Sequence, residues 1–140
     1  MKYVLDTNIA SEWIRGTPQI IGRLRNTAKS DVSIPQPVLA ELAYGVERLP
    51  RSKRRDRLLE RYVALRAEVT RSAWTDAVSD AFGNVKSELE RNGERIEDFD
   101  AAIAAHALAA NAVLVTTNVK HMKRVPGLLL EDWSGLKSKV

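Results

Sequence analysis

"MKYVLDTNIA" (residues 1–10) sets three apolar residues, Tyr3, Val4 and Leu5, directly against a polar triplet, Asp6, Thr7 and Asn8. The apolar trio has the composition and length of a short buried strand. "NIASEWIRG" (8–16) continues with Ile9, Trp13 and Ile14 at helical spacing. A strand that stops on a carboxylate and passes straight into a helix is the first half of a strand–helix–strand unit. The triplet itself has two readings. In one, Asp6, Thr7 and Asn8 turn the chain and cap the helix, because short oxygen-bearing side chains satisfy its free N–H groups. In the other, Asp6 is the first ligand of a metal site, with Thr7 and Asn8 in support. The choice rests on whether carboxylates return at matching places further along.

The strand–helix alternation does return. Val32 and Ile34 suggest a second strand, which Pro35 and Pro37 end as they start a helix, since proline suits a first helical turn. Val38, Leu42, Val46 and Leu49 form the apolar stripe of that helix. "RLPRSKRRDRLLER" (48–61) leads into an amphipathic helix with Leu58, Tyr62, Leu65 and Val69 on one face. "EVTRSA" (68–73) is a short strand candidate, and "TDAVSDAFGNVKSELERNG" (75–93) is helical with Gly93 as its stop. "EDFDAAIAAHALAANA" (97–112) is a helix of small residues, and "VLVTTN" (113–118) and "GLLLEDW" (127–133) are strands. No repeat or linker interrupts the chain, so one domain over 1–140 is expected. Its class is α/β, three layers α/β/α around a mainly parallel sheet.

Composition narrows the function. The chain has 140 residues, 44% hydrophobic and 29% charged, ordinary values for a globular protein with a sizeable core. It contains no cysteine, which excludes disulfides, thiolate zinc sites and cysteine nucleophiles. No signal-peptide core follows Met1 and no apolar run approaches the roughly 18 residues of a membrane span, so a cytoplasmic protein is expected. A net charge of +4 leans towards an anionic partner. Much of that charge sits in 48–61, with six arginines and one lysine against Asp56 and Glu60. The stretch is either solvated surface or a contact for phosphate or an acidic partner segment.

In open α/β sheets the functional crevice lies beyond the carboxyl ends of the strands. Asp6 stands there, and so do Thr116, Thr117 and Asn118 after "VLV". Glu41 lies early in the helix after the second strand, sharing a face with Gly45 and Arg48. Asp100 opens the small-residue helix, where Ala101, Ala102, Ala104 and Ala105 leave room for a ligand. Three carboxylates from three segments suit Mg²⁺ or Mn²⁺, which take oxygen ligands and keep several waters. Without a cation such carboxylates would push one another's pKa values up. Each also has a plainer role: Asp6 and Asp98 as N-caps, Asp100 as a favourable charge at a helix start.

The motifs "LDTN", "AELAYGVERL", "DAAIAAHA", "LVTTN" and "VPGLLLEDW", in this order and spacing, resemble PIN-domain ribonucleases, and most closely the VapC-type toxins of toxin–antitoxin modules. The resemblance spans nearly the whole chain. It implies an Mg²⁺- or Mn²⁺-dependent endoribonuclease in which Asp6, Glu41 and Asp100 are the catalytic metal ligands. Thr7 and Asn8 support the first of these, and Thr116 is the hydroxyl beside the cleft. Asn118 stands where the family often has a fourth acidic residue, which bears on how many metals bind. The resemblance further implies an RNA substrate such as tRNA or rRNA, products with a 5′-phosphate and a 3′-hydroxyl, a homodimer, and an antitoxin that occludes the cleft.

Other residues have smaller parts. Arg15, Arg48 and Lys120 are candidates to neutralise RNA phosphates. His106 falls roughly 120° round the helix from Asp100, off the metal face, and His121 is a lone loop histidine. Trp13, Trp74 and Trp133 are read as core or interface residues. Asp98 is an N-cap or an outer ligand. Two rival enzymes fail on the residues: an aspartyl-phosphate phosphatase needs a second aspartate where Asn8 stands, and a dinucleotide-binding fold needs a G-x-G-x-x-G after the first strand. The remaining alternative is a PIN-like binding module that has lost catalysis and acts through its partner.

Overall fold

Tyr3–Leu5 forms strand β1 in the computed structural model, which describes residues 1–134. Residues 135–140, part of the expected single domain, lie outside the described residues. Strand β1 lies between β2 (Val32–Pro35) and β4 (Val113–Val115). Outside these are β3 (Thr70–Ser72), beside β2, and β5 (Leu129–Glu131), beside β4. The order is β3-β2-β1-β4-β5, and every pairing is parallel. Register aligns Leu5 with Val115, and Val115 with Glu131, so these strands end at a common edge.

Seven helices connect the strands: α1 (Thr7–Arg15), α2 (Pro18–Arg25), α3 (Gln36–Glu47), α4 (Lys53–Glu68), α5 (Asp76–Arg91), α6 (Asp98–Ala109) and α7 (Val119–Met122). The chain steps one way from β1 to β3, then returns across the sheet to β4 and steps the other way to β5. Right-handed crossovers therefore put α1 to α4 on one face and α5 and α6 on the other. The packing agrees: α1 lies against α3 and α4, and α5 runs along α6. This is the three-layer α/β/α arrangement. The reversal of strand order falls between β1 and β4, the topological switch point at which such sheets open a crevice.

Local chemistry sets the boundaries. Asp6 caps α1, and Gly16 ends it in the left-handed region, φ 77°, with its N–H on the Glu12 and Trp13 carbonyls. The unexpected α2 starts on Pro18 and buries Ile20 against the core. Pro35 is the last residue of β2 as well as the cap of α3, whose stripe of Val38, Leu42 and Val46 is buried. Leu49 falls past the end of α3 and is only half-buried. Helix α4 begins at Lys53, after the Ser52 hydroxyl caps it by accepting from the Arg55 N–H. The preceding residues form a turn. Helix α6 has no single apolar stripe: Ala101 to Ala105, His106 and Ala107 are all buried. Small side chains allow that depth, because the backbone packs closely without large gaps to fill. No described helix is long and apolar enough to cross a membrane.

Trp133 joins the core with its ring edge-on to Tyr3, and Trp13 is half-buried against it. Trp74 lies outside the core. It is exposed, its indole N–H donates to Ser79 Oγ, and its ring sets an edge against His106. His106 is fully buried, with Nδ1 2.9 Å from Ser72 Oγ, so it ties the edge strand β3 to α6.

Burial pushes the pKa of His106 below the ordinary histidine value. The unfolded chain protonates at the ordinary value, so over the interval between the two the unfolded state binds more protons and stability falls as pH drops. Wild type should therefore lose stability relative to His106→Gln as pH falls below the ordinary histidine value in urea titrations. Parallel pH profiles for the two proteins would contradict this.

Candidate active site

The switch point carries a buried carboxylate. Asp6 follows the last residue of β1, and its N–H bonds to the Val115 carbonyl of β4 at 2.9 Å. Its side chain is 3% exposed and satisfied from two directions. Oδ1 accepts from the Thr7 N–H at 2.7 Å, and Oδ2 accepts from the Thr116 hydroxyl at 2.6 Å. Asp6 thus caps α1 and occupies the crevice at once, so the two readings of its triplet are compatible. Burial raises its pKa, and the Thr116 and Thr7 donors work against that rise.

Thr7 links the second carboxylate to the first, since its hydroxyl donates to Glu41 Oε1 on α3. Asp100, in the first turn of α6, completes the group and has no hydrogen-bond partner among the described residues. Its pKa is pushed up to about 6, first by burial and then by the negative charges of Asp6, Glu41 and Glu97. The three carboxylates therefore share one electrostatic environment. They do not close into a cage as they stand: among the described residues no three His, Cys, Asp or Glu side chains form a ready metal-binding group. The bonds to Thr7 and Thr116 tie Glu41 to the start of α1 and Asp6 to the segment after β4.

The remaining candidates divide. Asn8 Nδ2 donates to Thr117 Oγ1 at 2.7 Å, stitching the start of α1 to the loop after β4. Thr116 Oγ1 accepts from the Asn118 N–H at 2.9 Å. Asn118 caps α7, and its Oδ1 lies 2.8 Å from His121 Nδ1, so His121 belongs to a short helix and has a partner. Lys120 is exposed on that helix, at the site's edge of the sheet. Arg48 is exposed at the C-cap of α3, about 10 Å along the axis from Glu41. Arg15 is placed differently: nine residues of α1 carry it about 13 Å along the axis from Asp6, and it pairs with Glu12 at 3.1 Å. Asp98 is not a cap, since Glu97 holds that position; it pairs with Lys86 at 3.1 Å. In the basic stretch, Arg55 pairs with Glu47 and Arg61 donates to the Ile14 carbonyl, so both serve the fold.

A groove of about 600 Å³ runs beside the carboxylates and includes Glu41 and Asp100 in its lining. Glu97, Arg95, Tyr44 and Phe99 line it too, and the sequence reading passed over all four. The signal for the two rings was their position: Tyr44 stands three residues after Glu41 on one helix, and Phe99 directly precedes Asp100.

A family model, described as the PIN domain, matches residues 3–128. The chain belongs to the PIN-domain family. A Rickettsia felis relative named ribonuclease VapC2 is 37% identical over 135 residues, covering 95% of this PIN domain's chain and 98% of that protein. A Shigella flexneri relative named tRNA(fMet)-specific endonuclease VapC is 33% identical over 134 residues, covering 96% and 99%. Among solved structures, VapBC2 from Rickettsia felis bound to a promoter DNA fragment matches with a TM-score of 0.85 and 35% identity, over 95% of this chain and 99% of that one. DNA-bound VapBC from Salmonella typhimurium matches with a TM-score of 0.84 and 30% identity, over 95% and 98%.

The carboxylate group makes a thermodynamic prediction for the metal-free PIN domain. Because the folded pKa of Asp100 lies above its unfolded value, its charge is destabilising at neutral pH, and the penalty disappears as pH falls through about 6. Asp100→Asn should stabilise the protein in EDTA at neutral pH by on the order of 1 kcal/mol, allowing for solvent screening of a half-buried group. The melting temperature would rise by about 3 °C. The gain should vanish in thermal melts near pH 4. A variant no more stable at neutral pH would show that the carboxylates do not repel.

Proposed function

We propose that this PIN domain is a divalent-cation-dependent endoribonuclease and the toxin of a toxin–antitoxin pair. The observation that carries the reading is the meeting of Asp6, Glu41 and Asp100, from three separate segments, at the topological switch point of the sheet. Their donor set is all oxygen and suits Mg²⁺ or Mn²⁺. Burial raises Asp100 most, and the charges of Asp6, Glu41 and Glu97 add to it; a bound cation offsets that cost. Asp6, Glu41 and Asp100 would hold the ion, which when bound lowers the pKa of a water and neutralises phosphate charge.

The chain's own residues supply orientation. Thr116 and the Thr7 N–H fix both oxygens of Asp6, and the Thr7 hydroxyl fixes one oxygen of Glu41. Asn8, Thr117 and Asn118 hold the loop after β4 against α1. Lys120, Arg48 and Arg15 are the candidate cations for the RNA backbone, and of the three Arg15 is already paired, with Glu12. Water attack on phosphorus would leave a 5′-phosphate and a 3′-hydroxyl. The name of the Shigella relative makes tRNA the first substrate to try.

Partner binding has support elsewhere on the surface. A groove of about 290 Å³, lined by Trp13, Ile21, Leu24, Val32 and Val69, lies on the face of α1 and α2 and suits an apolar segment of an antitoxin. The structures resembled include VapBC assemblies. A homodimer is part of the same proposal. One rival draws on Asn118 and on the open spacing of the carboxylates: a PIN fold that no longer cuts and works only through its partner.

The test is cleavage of a mixed tRNA and rRNA pool with Mg²⁺ or Mn²⁺ against EDTA. Discrete cuts should require the metal and disappear in Asp6→Ala. Thr116→Val, which keeps the carboxylates but removes the donor on Asp6, should slow cutting about 10- to 100-fold. No cutting by wild type with either ion, and no metal binding by calorimetry, would favour the non-catalytic module.

A further inference from the structure

Tyr44 is 69% exposed and Phe99 is 46% exposed, yet both line the one groove that holds Glu41 and Asp100. Single exposed rings are ordinary on a protein surface; two in one groove, each on the same helix as a carboxylate of the site, are not. Neither ring takes part in an aromatic pair or a cation–π contact among the described residues, and the Tyr44 hydroxyl has no hydrogen-bond partner there. Arg95 lines the same groove, and its guanidinium has no ion-pair partner among the described residues. Flat faces beside a phosphate-directed site, with a free cation close by, are the parts that hold unstacked nucleotides.

We propose that Tyr44 and Phe99 are specificity-determining residues that stack the bases flanking the scissile phosphate, so that this PIN domain selects unpaired RNA over duplex. The inference rests on the ribonuclease reading above and adds to it the two residues that hold the bases. Paired bases have both faces covered by their neighbours and cannot offer them to a ring, so a helical stem is excluded from the groove while a loop or an unpaired end is admitted. The rings read no particular base, since every base has a face to stack. Arg95 is the nearby charge for a neighbouring phosphate. A second copy of the chain or a protein partner could also cover exposed rings. The continuity of the groove with the carboxylates favours nucleic acid.

Binding of a labelled single strand of about 12 nucleotides and mixed sequence, with Ca²⁺ in place of Mg²⁺ to slow hydrolysis, tests this by anisotropy. The comparison strands are the same RNA annealed to its complement and a fully abasic strand that keeps every phosphate. Wild type should bind the ordinary strand at least about tenfold more tightly than either comparison strand. Tyr44→Ala/Phe99→Ala should lose that preference while keeping its affinity for the abasic strand. Tyr44→Phe and Phe99→Tyr should retain the preference. Both rings are exposed, so the fold tolerates these changes. Preference unchanged in the double alanine variant overturns the proposal, and so does a wild type that binds all three strands alike. A double alanine variant that keeps the preference but changes the sedimentation of the protein would assign the rings to a protein interface instead. Failure of the broader reading looks different: wild type cuts no RNA in the metal-dependent assay, whichever strand it prefers.

Discussion

A buried carboxylate at the end of a central strand needs donors within reach, and the hydroxyl of Thr116 on Asp6 Oδ2 is the bond on which the rest of the site depends. Burying a charge without hydrogen bonds would cost several kcal/mol or force the group to neutralise. Thr116 reaches Asp6 only because β1 and β4 are parallel neighbours with Leu5 opposite Val115. Sliding β4 by one residue would turn Thr116 to the other face and leave Asp6 with one donor. The register is held by the apolar runs Tyr3–Leu5 and Val113–Val115, which have no comparable burial in any other alignment. Hydrophobic packing thus fixes the chemistry at one step removed.

The site is built with an asymmetry. Asp6 and Glu41 are anchored, one by Thr116 and the Thr7 N–H, the other by the Thr7 hydroxyl. Asp100 has no such tether, and it is the group that burial, followed by the like charges around it, raises to about 6. Anchoring two members of a carboxylate set and leaving the third free keeps the donors near one another without closing them. Closing all three in the absence of a cation would deepen the repulsion. The alanines that follow Asp100 let α6 sit deep against the sheet, which brings its first turn to the switch point. A larger residue at the buried positions Ala104 or Ala105 would push that turn outward.

The sequence shows much of this and is silent on the rest for identifiable reasons. Strand ends and helix starts are local matters of composition, and β1, β2, β4 and β5 are readable from their apolar runs. Helix α2 is hidden because Gly16, Thr17, Pro18 and Gly22 read as breakers, although Pro18 in a first turn costs the helix nothing. Trp74 reads equally as core or interface; the structure sets it at the surface, with its N–H on Ser79. Asp98 resembles a cap by residue type, but a neighbouring Lys86 on another helix decided its role. Partners from distant segments and the exposure of single side chains are the two quantities that spacing does not carry.

That division explains why the carboxylates were visible and the rings were not. A metal-directed carboxylate is marked by where it stands, at a strand end or a helix start, and position is legible. A ring that meets a substrate is marked by being left uncovered, which only the packing of α3 against α6 reveals. Tyr44 and Phe99 follow the helical paths of Glu41 and Asp100, so any shift that moved the carboxylates apart would carry the rings with them. Two of the three proposed metal ligands, Glu41 and Asp100, therefore share their helices with the two exposed rings. Under that proposal the packing of α3 against α6 sets the position of the rings and of two carboxylates together.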